Sequence, residues 1–121
     1  MTVATDKSLT VVRERLPNRR AHTLVNIEAS GFRYVAGISH YEDGRLAEIF
    51  LNASKGGTAI DDAARDSAVV ASIALQHGVD VDTLRRALMR NGNGIASGPL
   101  GTLLDGLAAE DETRGDREAA Q

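Results

Sequence analysis

Apolar residues recur at every second position from about residue 22 to 53, and at every third or fourth position from 58 to 107. That change of period separates a strand-forming segment from a helix-forming one. His22 to Ala29 predicts a first strand. Val25, Ile27 and Ala29 share one face, His22, Asn26 and Glu28 the other, and Leu24 breaks the alternation. Phe32 to Tyr41 predicts a second, with Phe32, Tyr34, Ala36 and Ile38 on one side. Gly37 inside it marks a bulge or a close backbone approach. Leu46 to Ala53 predicts a third. Leu46, Glu48, Phe50 and Asn52 point one way, and Ala47, Ile49, Leu51 and Ala53 the other. Ser30-Gly31 and Asp43-Gly44 are the turns, and Asp-Gly between alternating runs is a strong hairpin signal. Three consecutive strands joined this way make an antiparallel meander whose apolar face needs a cover.

The cover is the helix expected over 58–77. Lys55-Gly56-Gly57 frees the backbone, and Thr58 caps the helix, with Asp61 completing an imperfect capping box. Ile60, Ala64, Ala68, Ala71 and Leu75 line one helical face. Val69, Val70 and Ile73 widen it, which predicts packing on the sheet and on a further helix of this chain or a second copy. Asp61 and Asp62 suit the positive end of the dipole, and Gly78 suits C′. Asp80 caps a second helix from Val81 to about Arg90, with Leu84 and Leu88 inward and Arg85, Arg86 and Arg90 near its C-terminal end. Asn91-Gly92-Asn93-Gly94 breaks it. Leu100 to Ala109 is a third helix, with Pro99 in its first turn and Leu100, Leu103, Leu104 and Leu107 on one face. The fold class is therefore α+β: a three-stranded antiparallel meander covered by one long helix, followed by two shorter helices. The expected organisation is a flexible arm over 1–15, one domain over 16–109 and a disordered charged tail over 110–121.

Composition narrows the function. With 121 residues and 42 % apolar content, the chain can build one modest core. Aromatics are limited to Phe32, Phe50, Tyr34 and Tyr41, so the core must be aliphatic and alanine-rich. A net charge of −3 offers no bulk attraction to nucleic acid. There is no cysteine, which excludes disulfides, thiolate metal sites and thiol chemistry, and fits a cytoplasmic setting. No apolar run approaches the roughly 20 residues of a membrane helix.

Lys55, Gly56, Gly57 and Thr58 form the leading candidate ligand site. Backbone N–H groups at a helix start attract phosphate, and a lysine adds charge. The spacing is not that of a P-loop, and a plain strand-to-helix turn uses the same residues. Ser97 and Gly98, also opening a helix, are expected to face it. Arg45 crowds the hairpin with Tyr41, Glu42 and Glu48, where it can pair with Glu48 or meet a polar ligand. Gln76 is expected as a buried amide that satisfies loop backbone. Arg13, Arg15, Arg19 and Arg20 form a solvated arm or one that meets an anionic ligand or acidic partner. His22, His40 and His77 lack ligand spacing, and Asp61, Asp62 and Asp66 are explained by dipole and solvation. No catalytic dyad, metal site or cofactor is expected.

The ordered set Tyr41-Glu42-Asp43-Gly44-Arg45, Glu48-Ile49-Phe50-Leu51, Ser54-Lys55-Gly56-Gly57-Thr58, Ser72 to Val79 and Ser97-Gly98-Pro99 resembles a known family. It is similar to the C-terminal region of adenosylcobalamin-dependent ribonucleoside-diphosphate reductases, a TSCPD-type domain that also occurs as short free-standing proteins. The resemblance runs over 16–107 and rests on order and spacing rather than on one motif. It implies an accessory domain linked to deoxyribonucleotide synthesis and to binding of a nucleotide or phosphate-bearing ligand. The reductase activity belongs to a large barrel with catalytic cysteines and a cobalamin site, and this chain carries neither. The cysteine of the name-giving motif is also absent, so no zinc or redox role transfers. The alternative reading is a structural protein that homodimerises, or docks on a larger enzyme, through its apolar helix.

Overall fold

The computed structural model describes residues 12–16 and 21–120, with side chains as far as 113. Three strands, β1 (Thr23–Ala29), β2 (Phe32–His40) and β3 (Leu46–Ala53), form one antiparallel sheet in the order β1-β2-β3. Three helices follow: α1 (Ala59–Gln76), α2 (Val81–Ala87) and α3 (Pro99–Ala120). His22 and Tyr41 fall just outside the strands expected to contain them. Ser30 and Gly31 both take positive φ, 51° and 82°, the pairing that matches a two-residue turn to strand twist. The register places Val25 opposite Ala36 and Ile27 opposite Tyr34 on the core face.

Tyr34, Ala36, Ile38, Ile49 and Leu51 bury one face of the sheet. α1 covers it on the β3 side and α3 on the β1 side. Ala64, Ala68 and Ala71 put only methyl groups toward the sheet, which lets α1 lie close to β3. Leu100, Leu103 and Leu104 complete the core from α3.

Several expectations change. Val69, Val70 and Ile73 do not widen the buried face of α1; they are 56 %, 67 % and 40 % exposed. The polar residues Asp61, Ser72 and Gln76 are buried instead. Gly37 is not a bulge. It lies under the side chains of Leu24 and Phe50, and the irregularity falls between Ser39 and His40, where Ala47 is the extra residue on β3. α2 ends at Ala87, with Leu88 already extended. Arg90 then pairs with Ala96 in an isolated bridge closed by the Asn91 to Ile95 turn. Gly101 is needed there, because a Cβ would stand 2.9 Å from the Ala96 methyl carbon. α3 runs on to Ala120, past the Ala109 boundary and through the segment expected to be a disordered tail. Ala, Glu and Arg are good helix formers and carry the backbone on without a further apolar face.

The arm expected to be flexible is pinned where it is described. The Glu14 N–H donates to the Gln76 carbonyl at 2.8 Å, and the Glu14 carbonyl accepts from Tyr41 Oη at 3.1 Å. Arg13 Nε donates to Gln76 Oε1 at 2.5 Å. Residues 1–11, Arg19 and Arg20 lie outside the described residues.

Candidate functional site

The Lys55 hinge is built as a strand-to-helix turn. The Ser54 N–H and hydroxyl both donate to the Arg33 carbonyl, at 2.9 and 3.1 Å, which ends β3. Gly57 takes φ 74°, a conformation a side chain would strain. Thr58 is the N-cap: its Oγ1 accepts the Asp61 N–H at 3.1 Å and donates to the Lys55 carbonyl at 3.2 Å. Lys55, Gly56 and Gly57 are exposed. The capping box does not form. The Asp61 carboxylate, with the residue only 4 % exposed, turns away and accepts the Ala53 N–H at 2.9 Å. Asp61 and Asp62 therefore already place two negative groups in the first turn, against the pole that would attract an outside anion.

Ser97 and Gly98 open α3 at the same end of the sheet, because the Ser97 carbonyl accepts the hydroxyl of Ser30 in the β1–β2 turn at 2.6 Å. The Gly98 carbonyl is taken by the Thr102 N–H and hydroxyl. No hydrogen bond links Lys55 to Ser97 or Gly98 among the described residues. Arg45 is at the opposite end. Its guanidinium pairs with Asp43 at 2.8 Å and Glu14 at 2.9 Å, and lies 4.7 Å from the Tyr41 ring centre. Burial, and then the charge of Glu14, push the Tyr41 phenol above its ordinary pKa. Among the described residues the ion pairs of Arg45 are with Asp43 and Glu14, not with Glu48. Glu48 meets His22 at 3.3 Å and Ser39 at 3.4 Å instead. The structure thus keeps Lys55 and Thr58 together, brings Ser97 and Gly98 to the same end, and separates Arg45 by the length of β3.

The feature that residue-by-residue reading missed is the row of polar side chains where α1 lies along β3. Ser72 Oγ accepts the Ile49 N–H at 2.9 Å and donates to the Ile49 carbonyl at 3.1 Å. Gln76 Nε2 donates to the Ala47 carbonyl at 3.0 Å, a strand carbonyl freed by the bulge rather than a loop group. Asp61 serves Ala53. These residues stand eleven and four apart, a single helical stripe, and that spacing was available as a signal. Between Ile49 and Ala53 the seam is apolar, with Leu51 1 % and Ala68 2 % exposed. Beside this point lies a groove of about 400 Å³, walled by Phe50, Val69 and Ile73 with Arg13 and Arg65 among its lining. Arg65 is held by Asn52 Oδ1 at 3.0 Å.

A second, wider cleft of about 1490 Å³ opens at the hairpin end between β2, α2 and α3. Its charges are mixed, with Arg45 and Arg86 among Asp80, Asp82 and Glu112. Next to it Asp105 is clamped by Arg90 at 2.7 and 2.9 Å and by Arg85 at 3.0 Å. The Arg90 hydrogen bonds, with Arg85 behind them, hold its carboxyl down at about 2. Arg90 serves the end of α2 as expected, its Nη2 donating to the Arg85 carbonyl at 3.2 Å, and it also ties the 88–96 turn to α3. Among the described residues no group of three His, Asp or Glu side chains could hold a metal ion. Nor is any helix there long and apolar enough to cross a membrane.

Two comparisons connect this chain to known proteins. Over 70 residues, 58 % of its length, it is 34 % identical to the vitamin B12-dependent ribonucleotide reductase of Bradyrhizobium diazoefficiens. Over a stretch of the same length it is 33 % identical to the enzyme of that name from Agrobacterium fabrum. The match covers 6 % of each of these relatives. The chain thus contains a region related to a small part of a large reductase. No family model matches it. No solved structure matches it either.

Proposed function

We propose that this protein is a non-catalytic accessory domain of the TSCPD type that docks on a reductase-class enzyme of deoxyribonucleotide synthesis, in the cytoplasm. The observation that carries this reading is the groove beside β3. It combines exposed Phe50, Val69 and Ile73 with the arginines Arg13 and Arg65, a mixture that suits an apolar segment of a larger protein that carries an acidic residue. A region that forms a small share of a large enzyme in its relatives is suited to contact with such an enzyme. Calorimetric titration of this protein into a vitamin B12-dependent ribonucleotide reductase tests it. Saturable binding is expected, and Val69→Lys should weaken it by about tenfold or more, equal to about 1.4 kcal/mol. Absence of binding, or indifference to Val69→Lys, would reject the reading.

A second reading is favoured by the exposed Lys55 on its positive-φ hinge. Here Lys55, Gly56, Gly57 and Thr58 take a nucleotide or other phosphate-bearing ligand, with Ser97 and Gly98 at the same end of the sheet. Titration with nucleoside di- and triphosphates should release heat, and Lys55→Ala should abolish it. No heat with any of them removes this reading.

A further inference from the structure

The two edges of the sheet are finished differently. On β3 the outward backbone groups of Ile49 and Ala53 are met by Ser72 and Asp61. That fixes the alternation across all three strands. Ile49 pairs with Ile38, so the N–H and C=O of Ile38 face β1, where Ile38 is opposite Thr23. Thr23, Val25, Ile27 and Ala29 thus spend their backbone groups on β2, in agreement with the two-residue turn that follows Ala29. Leu24, Asn26 and Glu28 turn theirs outward. Among the described residues those groups have no hydrogen-bond partner. The side chains of Leu24, Asn26 and Glu28 are exposed as well. β1 also lacks the devices that keep strand edges apart: it has no proline, no lysine and no bulge.

We propose that the β1 edge pairs antiparallel with β1 of a second copy of this chain, making one six-stranded sheet about a two-fold axis normal to it. The occupant is a second copy because this strand is its own complement, as an isologous contact requires. With Asn26 opposite Asn26 on the axis, Leu24 falls opposite Glu28. All three outward residues then exchange both hydrogen bonds with the second copy. A slip by two residues leaves an end one of the three without a partner in the strand. On the core face Val25 stands opposite Ile27 of the second copy in the non-hydrogen-bonded position, where side chains are closest. Both are partly buried against the core, so this β-branched pair carries the core across the seam. Glu28, the charged residue of β1, meets Leu24 rather than another carboxylate. The two Glu28 residues lie about 14 Å apart along the strands. A seven-residue strand buries far less than the ~800 Å² per partner of a standard interface, so association is weak.

The β1 edge lies across the sheet from the groove beside α1, so one experiment separates the two surfaces. Sedimentation equilibrium of the full chain from about 10 µM to about 1 mM should show a monomer–dimer transition. Asn26→Pro removes an outward donor and spares the bonds to β2, a change that a strand edge tolerates. It should raise the dissociation constant by about tenfold or more with an unchanged circular dichroism spectrum. Exposed Leu24 tests the register without touching the backbone. Leu24→Lys, placed opposite Glu28, should tighten the dimer about threefold at low salt, and Leu24→Glu should weaken it about threefold. Val69→Lys should leave it within about twofold. A monomer throughout the range overturns the proposal. So does a dimer that a folded Asn26→Pro variant retains, one in which the two Leu24 variants do not act in opposite directions, or one that Val69→Lys dissociates. If Asn26→Pro fails to fold, the Leu24 variants decide.

Discussion

The two long sides of α1 invert the usual rule. On the side against the sheet, Asp61, Ser72 and Gln76 are buried among alanines. On the side toward solvent, Val69, Val70 and Ile73 are exposed. The difference follows from what each side meets. β3 is an edge strand, and its outward N–H and C=O groups would be costly to bury unpaired. A helix laid along that edge needs hydrogen-bonding side chains, and these three residues supply them to Ala53, Ile49 and Ala47. Among the described residues no helix or strand covers the outer side, so its valines and isoleucine stay exposed.

The sharpest way to break that comparison is Ser72→Ala. It leaves the Ile49 N–H and C=O both without a partner, at a cost of about 2–4 kcal/mol in urea unfolding. A loss below about 1 kcal/mol would mean water replaces the hydroxyl and the inner row is not structural. Asp61→Ala orphans the Ala53 N–H and removes the 4.0 Å ion pair with exposed Arg65, and a loss of about 2 kcal/mol is expected in the same measurement. Away from α1, Asp105 gives a smaller effect that depends on pH. Its folded pKa of about 2 lies below the ordinary 3.8, so its contribution is complete above about pH 5 and disappears as pH falls toward 2. The clamp is 30 % exposed, and solvent screening trims its worth to about 1 kcal/mol. The stability gap between wild type and Asp105→Asn should therefore close between pH 5 and pH 2; a constant gap would assign the effect to packing. Smallest of all, Val69→Lys on the outer side should change stability by no more than about 0.5 kcal/mol. A larger loss would place Val69 in the core.

Strands, turns and the Thr58 cap were readable because each depends on neighbours in sequence. Period two set the faces of β1, β2 and β3, and Asp43-Gly44 set a turn. The candidate site was less readable. Lys55, Gly56, Gly57 and Thr58 are contiguous, so their grouping was legible, and Ser97 and Gly98 do share their end of the sheet. Arg45 could not be placed, because Glu14, Asp43 and Tyr41 claim it from segments up to thirty-one residues away. Gln76 was legible as buried, but its carbonyl partner depends on a bulge that no local pattern announces.

The amino-acid sequence by itself determined the α+β order of elements, the alternation of the strands and the starts of the helices, since these follow from local backbone preference and apolar periodicity. Only the tertiary structure decided which side of α1 is buried, that Arg90 and Arg85 clamp Asp105, and that the arm at Arg13 and Glu14 is pinned by Gln76. Those outcomes depend on which backbone groups the folded sheet leaves unpaired, and that is settled by packing across long stretches of chain rather than by neighbouring residues.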